Sequence, residues 1–404
     1  MRPLEGIRVV ELGTHVAAPI TARLMADWGA DVIKVEPLKG EAYRTVGISW
    51  KMPNKEDNNP ILQTGNANKR SVSLNLKDSA GKEAFLKLLD TADVFVTNTR
   101  AQALERLGLD YATLKERCPR LVYCLCTAFG LTGPDRDGPG FDTASYWGRG
   151  GMPAEWTVAE NIPARPHPGF GDSTVASAML AAILACLFRR EKTGEGDFVT
   201  ASLYGSALWY NFHGIVEAQY PGHDVPLSRY GAVRPLTPVY KSQDGKAFFI
   251  IEQFYEEKAV QFWTDLGMPD LAADPAVITY AGYNADKKKV IDLLDIRFAQ
   301  IPYEKIDEIC CKLNMVHAVF CTPKEALCDP QAWENNYLRK INLENGDELI
   351  LPCTPVQFDS FPEADFNLAP HLGADTREVL LSLGYSDEQI TEMAVAGAVN
   401  THGN

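Results

Sequence analysis

Short apolar runs alternate with stretches of helical period through the first 130 positions of the chain. Ile7-Arg8-Val9-Val10-Glu11-Leu12 reads as a strand, and Pro19 to Trp28 as a helix with proline at a permitted first-turn position. Asp31-Val32-Ile33-Lys34-Val35 follows the helix-stopping Gly29 as a second strand. The short connections of this β-α-β unit predict parallel strands. The pattern recurs: strands over Ser71 to Leu76, Val94 to Thr97 and Leu121 to Cys126, with helices over Ala80 to Leu89, Ala101 to Leu107 and Tyr111 to Arg117. This alternation predicts an α/β fold, a large domain built on an open, doubly wound parallel sheet.

Residues 130–170 are rich in Gly and Pro and carry little periodicity, which in a compact domain points to functional loops. A helix over Ser173 to Arg190, a strand near Phe198 to Ala201 and a helix over Leu203 to Ala218 follow. Pro226 to Pro238 reads as a linker, and Val239 to Ile251 as a hairpin turning at Gln243-Asp244-Gly245. Helices are then expected over Tyr255 to Leu266, Asp286 to Phe298 and Tyr303 to Leu313. The tail carries a hairpin signal at Asn345-Gly346 and a capping box from Ser386 to Gln389. The expected division is 1–226, a smaller α+β domain over 227–325, and a last segment, 326–404.

A chain of 404 residues, 46% hydrophobic, buries a core without disulfides or a structural metal. Its net charge of −14 repels phosphate backbones and anionic lipid, so neither nucleic acid nor membrane is an expected partner. The start has no apolar signal region, and the longest greasy stretch, Val175 to Phe188, falls short of the ~20 residues a spanning helix needs. Nine cysteines without a C-x-x-C pair read as buried, reduced thiols of a cytoplasmic protein. The histidines show no ligand spacing, so no metal is expected.

The turn Leu12-Gly13-Thr14-His15-Val16-Ala17-Ala18-Pro19 lacks G-x-G-x-x-G, so no nicotinamide cofactor is expected. P-loop, H-E-x-x-H and G-x-S-x-G patterns are missing too. The suggestive segment is Pro168-Gly169-Phe170-Gly171-Asp172-Ser173, where an acid sits at the mouth of a long apolar helix. The simpler reading makes Asp172 a helix cap. The functional one makes it a nucleophilic carboxylate against a hydrophobic wall, flanked by backbone donors. Lys69, Arg70, Lys77, Arg100 and Arg106 are candidate phosphate contacts near strand ends, against the alternative of a solvated rim. Trp50, Trp147 and Trp156 either line a pocket or pack, and Cys124 with Cys126 reads as core.

Several segments together resemble the class III CoA-transferases, the formyl-CoA and carnitine CoA-transferase family, over essentially the whole chain. They are Leu4 to Glu11, Trp28-Gly29-Ala30-Asp31-Val32-Ile33-Lys34-Val35-Glu36, Asn68-Lys69-Arg70-Ser71, Pro139-Gly140-Phe141-Asp142, Gly169-Phe170-Gly171-Asp172, Thr193-Gly194-Glu195-Gly196 and Leu383-Gly384-Tyr385-Ser386. The resemblance implies an interlocked, ring-like homodimer whose large domain includes the C-terminal tail. It implies acyl-CoA and small carboxylic acids as substrates, and Asp172 as a nucleophile passing through a mixed anhydride and an aspartyl-CoA thioester, with no ATP or metal. CoA contacts carry over to Val16, Leu74, Lys77, Asn98, Thr99 and Arg106, and Asp142 matches an acidic or amide position near the active site.

Departures are Ala17 where the formyl-CoA enzyme has glutamine, and Pro37 in place of a basic CoA contact, with Lys39 its possible substitute. A glycine-rich flap of the oxalate branch is absent, which argues against oxalate. Phe141-Asp142, Arg149-Gly150-Gly151 and Asn66-Ala67-Asn68-Lys69 look most like the branch acting on 2-hydroxy and enoic acids, such as aryl-lactates or 2-hydroxyisocaproate. Two rivals stay open: an α-methylacyl-CoA racemase, which needs a His where Phe141 stands, and a non-catalytic CoA-binding protein.

Overall fold

The computed structural model describes residues 2–158, 161–223, 225–226, 228–361 and 366–402. Leu227, where the inserted domain is expected to begin, lies outside them, as do Gly403 and Asn404. Two compact units emerge: Met1–Met152 with Arg165–Val216 and Pro330–Asn404, and Pro153–Ala164 with Glu217–Asp329.

The first unit opens with β1 (Arg8–Leu12), α1 (Ala17–Asp27), β2 (Asp31–Glu36), α2 (Pro60–Asn66), β3 (Arg70–Leu74) and α3 (Ser79–Leu89). It continues through β4 (Val94–Thr97), α4 (Ala101–Leu107), α5 (Tyr111–Arg117) and β5 (Val122–Thr127). After a π-helical turn over Asp142–Gly148 the chain passes through α6 (Met152–Trp156), which lies in the second unit from Pro153 on, and the first unit resumes with α7 (Phe170–Thr193), β6 (Asp197–Ser202) and α8 (Leu203–Tyr210). The sheet order is β12-β3-β2-β1-β4-β5-β6, in which β1 to β6 run parallel and the edge strand β12 (Val399–Asn400) is antiparallel. Strands grow outward in both directions from β1 and β4. The sheet is therefore doubly wound, with a switch of direction between those two strands.

Successive strand residues serve opposite faces. Val9, Val32, Val94, Val96, Cys124 and Cys126 face α1 and α7, whereas Val10, Ile33, Val35, Phe95 and Tyr123 meet residues of α3, α4 and α5. The expected helix over Ser173 to Arg190 begins and ends three residues further out, at Phe170 and Thr193. Its 24 residues are long and apolar enough to cross a membrane by length and composition alone. Val175, Ala176, Met179, Ile183 and Leu187 instead pack it into the sheet's core. The helix expected over Leu203 to Ala218 breaks after Tyr210 and resumes over Phe212–Glu217.

In the second unit β7 (Tyr240–Lys241) and β8 (Ala247–Ile251) form the expected hairpin, and β9 (Val316–Val319) adds to β8. Helices over Tyr255–Asp265, Lys287–Phe298 and Tyr303–Lys312 cover a core containing Phe248, Phe262, Trp263 and Phe298. Returning to the first unit, β10 (Leu338–Asn342) and β11 (Glu348–Pro352) pair across Asn345-Gly346, and Gly346 takes φ 89°. The capping box at Ser386 and Gln389 is formed.

The cysteines depart in part from expectation: Cys124, Cys126 and Cys310 are buried, but Cys311, Cys321 and Cys328 are exposed. Lys69 and Arg70 are corrected as phosphate candidates. They lie at the N-terminal end of β3, whereas ligands of open sheets gather at C-terminal ends. Lys69 Nζ is wholly buried, 2.5 Å from Glu11 Oε2, and Arg70 pairs with Asp31 at 2.7 Å. Glu11 also meets Lys34 at 2.8 Å. Burial alone would raise the Glu11 carboxyl, but the Lys34 and Lys69 ammonium groups hold it below the usual range.

Candidate active site

The carboxyl ends of β1, β4 and β5 open onto a cavity of about 380 Å³. Its walls come from Thr14–Ala17 after β1, Asn98–Gln102 after β4, Cys126–Ala128 at the end of β5, Phe141, and Asp172 from α7. It lies in the crevice at the switch between β1 and β4, where an open parallel sheet parts its connections to opposite faces. Of the expected site residues, Val16, Asn98, Thr99 and Asp172 meet here. The Asn98 side chain ties the two walls, accepting from Thr14 N–H at 2.9 Å and donating to Thr14 O at 2.8 Å.

The remaining candidates lie elsewhere. Leu74 is core, while Lys39 and Lys77 are exposed on the loops after β2 and β3. Arg106 is exposed in the last turn of α4, its Nε bonded to Gln102 O at 3.1 Å. None of these four lines the cavity. Arg100 does, and so does Arg136, a residue the sequence reading missed. Trp50 lines a neighbouring cavity of about 450 Å³ with apolar walls from Ile20, Leu24 and Ile61, which shares Val16 with the first. Trp147 is buried, and Trp156 exposed.

Asp172 is not the helix cap. Gly169 holds that position at φ 107°, and Asp172 is the third residue of α7. The acid that serves the helix start is Asp142: Gly169 N–H donates to its Oδ2 at 2.7 Å, and the amides of Gly171 and Asp172 act on the same carboxylate. Asp142 is itself buried, and that burial pushes its carboxyl up while the three amides pull it back. Asp172 itself has no hydrogen-bond partner among the described residues. A carboxylate in a helix's first turn is ordinarily stabilised by the dipole. Here burial, reinforced by the charge of Asp142, wins and pushes the Asp172 carboxyl up to about 7.

His15 was not singled out as a site residue, yet it lines the same cavity. Its φ of 60° is rare for a non-glycine residue, and its N–H is held by Glu41 Oε2 at 2.7 Å. The ring sits edge-on to Phe141, 5.6 Å between centroids. Beside it, α1 begins with no side-chain cap and no acid in its first turn, so that turn's orphan N–H groups are left for another partner. Cys126 closes the floor; burial and then the nearby Asp172 push its thiol up to about 12, which keeps it protonated.

A nucleophile-like carboxylate in a switch-point crevice, without a nucleotide fingerprint, calls for comparison with known proteins. The sequence profile of CoA-transferase family III matches residues 4–376. The chain belongs to that family. As a class III CoA-transferase it is 36% identical over 390 residues to (R)-2-hydroxy-4-methylpentanoate CoA-transferase of Clostridioides difficile, covering 96% of this chain and 97% of that one. It is 34% identical over 391 residues to cinnamoyl-CoA:phenyllactate CoA-transferase of Clostridium sporogenes, covering 96% and 95%. Among solved structures, a CaiB/BaiF family protein from Brucella suis superposes with a TM-score of 0.82 at 26% identity, over 95% of this transferase and 99% of that chain.

Proposed function

We propose that this transferase moves CoA from an acyl-CoA to a 2-hydroxy or enoic acid, with Asp172 as the covalent nucleophile. The observation that carries the reading is a half-buried carboxylate, free of hydrogen-bond partners, lining a cavity at the sheet's switch point. Its oxygen attacks the thioester carbonyl, and the C–S bond breaks to give a mixed anhydride and CoA thiolate. The thiolate attacks the aspartyl carbonyl, releasing the first acid and leaving an aspartyl-CoA thioester. The second acid's carboxylate displaces the thiolate to form a new anhydride. The thiolate then attacks the acceptor's carbonyl, and Asp172 is regenerated as a carboxylate. No water, redox partner or net proton enters, so thioester energy is conserved.

Oxyanion stabilisation is assigned to the first-turn amides of α1, which begins beside the cavity with no side-chain cap, whereas Gly169 N–H at the start of α7 already serves Asp142. Arg100 and Arg136 on the cavity wall are the assigned CoA phosphate contacts, together with Val16, Asn98 and Thr99. The apolar cavity beside Trp50 suits a branched or aryl acid side chain, in keeping with the acids named for the two relatives. Phe188, Trp209 and Phe212 expose large apolar faces on and beyond α7, which supports a homodimer covering them. A cytoplasmic location without membrane attachment goes with this reading.

Hydroxylamine quenching of enzyme and acyl-CoA, followed by peptide mass spectrometry, should find the adduct on Asp172. An unmodified Asp172 during active turnover would sink the mechanism. The racemase rival has one observation on its side, His15 in the Asp172 cavity. Acceptor-free incubation in deuterated water separates the two: transfer chemistry leaves α-proton exchange at background.

The Asp172 carboxyl also sets the pH response. Below about pH 7 it is protonated and a poor nucleophile, so kcat/KM should rise with pH through about 7 and then level off. Asp142→Asn removes the neighbouring charge and should move that rise to lower pH, read from the kcat/KM profile. An unmoved profile would mean that the limb belongs to another group.

A further inference from the structure

Two histidines and a glutamate from distant parts of the first unit converge away from both cavities. Glu56 Oε1 lies 2.9 Å from His371 Nδ1 and 3.5 Å from His402 Nδ1. The three ligand atoms all lie within 4.8 Å of one another. On the far side of its ring, His371 Nε2 is 2.9 Å from Glu344 Oε1. An ionised carboxylate only accepts, so each ring nitrogen of His371 faces an acceptor; an ion bound at Nδ1 would replace the proton there and leave Nε2–H donating to Glu344. Nδ1 is the ring nitrogen turned toward Glu56 and His402.

A metal-ligating histidine commonly donates its other N–H to a carboxylate in this way. The two rings stack, with centroids 4.8 Å apart and planes within 9°. Main-chain bonds fix the contributing segments independently of the side chains: Asn345 N–H to Asp57 O at 3.2 Å, and His402 N–H to Gly373 O at 3.4 Å.

We propose that Glu56, His371 and His402 form a site for one divalent transition-metal ion of the Zn²⁺ class, with Glu344 as the carboxylate that orients His371. Two imidazoles and one carboxylate are a known Zn²⁺ donor set, and tetrahedral bonds of about 2.0–2.2 Å place donors roughly 3.3–3.6 Å apart. The observed 3.5 Å falls within that spacing, and the 2.9 Å contact has to open by roughly 0.4 Å to admit the ion. Glu56 and His402 are exposed, which leaves a fourth position to water. None of the four residues lines the Asp172 cavity or its apolar neighbour. The ion therefore acts as a clip between the loop holding Glu56, the loop holding His371 and the segment after β12, outside the thioester chemistry. This departs from the expectation of no metal, which rested on sequence spacing.

The test uses the full-length chain, stripped of metal with a chelator and desalted. Competition against a chromophoric chelator should report one Zn²⁺ per chain. Co²⁺ in its place should give the visible absorption of a four-coordinate site. His402→Ala removes an exposed side chain near the chain end and should weaken Zn²⁺ binding at least about 30-fold, with Glu56→Gln as an independent repeat. Glu344→Gln, which removes only the orienting carboxylate, should weaken it by about 10-fold. Lack of stoichiometric binding by the unsubstituted chain would overturn the proposal. So would binding unchanged in both ligand variants, as expected if the ion sat instead at Asp307, Cys311 and His317.

Discussion

Asp172→Asn should lower kcat for CoA transfer by at least about 10⁴-fold, since removal of a covalent nucleophile costs about as much as removal of the whole catalytic constellation. The substitution keeps the side chain's shape and removes only the nucleophilic charge. CoA affinity, measured by calorimetry, should therefore change little, because Arg100, Asn98 and Thr99 remain in place. A variant that retains transfer within about tenfold of the parent would return Asp172 to a structural role.

The same variant should be more stable than the parent at neutral and alkaline pH. A carboxyl with a folded-state value of about 7 binds its proton more tightly in the folded chain than in the unfolded one, where the ordinary value is 3.8. Stability contributed by this group is present at acid pH and is lost as pH rises from about 4 to about 7. The amide introduced by Asp172→Asn cannot ionise, so the variant escapes that loss. The gain at pH 8 should be of order 1–3 kcal/mol after allowance for partial exposure, and it should vanish near pH 4. Denaturant melts at the two pH values check both the sign and the closing of the gap. Activity and stability moving in opposite directions at one residue is the signature of a functional carboxylate.

The parallel sheet was legible because β1 to β6 are short segments rich in apolar and β-branched residues separated by helical periods, and that alternation needs no long-range information. The two-residue strand β12 was not, because Val399-Asn400 pairs only with residues some 325 positions earlier, Leu74 and Ser73. Asp172 stood out through its glycine neighbours, yet its role looked like capping because the true cap partner, Asp142, is brought in by a loop with no periodicity. Candidates in the turns directly after β1 and β4 met at the cavity, since the switch point is a property of strand order, while Arg106, a helix further on, did not. Those after β2 and β3 did not, because those strands lie on the far side of β1 from β4. His15 had a local signal only in its backbone, a positive φ that no sequence pattern announces. His371 and His402 were hidden by spacing, and only the docking of the tail brings their rings together.

Gly171→Ala should be a damaging substitution although it adds only one methyl group. Gly171 does not need a left-handed backbone; it needs the absence of a side chain. A Cβ there would stand 2.3 Å from Asp142 Oδ1 and 2.3 Å from Tyr146 Cγ, and both neighbours are buried. Neither can step aside, because Asp142 is held by Gly169 N–H and Tyr146 is packed in the core with Trp147. The start of α7 must then move, carrying Asp172 with it. Overpacking of this kind costs about 1–3 kcal/mol, and a displacement near 1 Å at a reacting group costs on the order of 10²-fold in rate. The loss should fall on kcat rather than on KM for the acyl-CoA, since the loops after β1 and β4 are untouched. Gly231→Ala supplies the control, because nothing lies within 4 Å of the point where its new methyl group would stand and its backbone is ordinary. Stability and kcat within experimental error of the parent are expected there. Equal behaviour of the two variants would show that the contact between Gly171 and Asp142 does not set the position of the nucleophile.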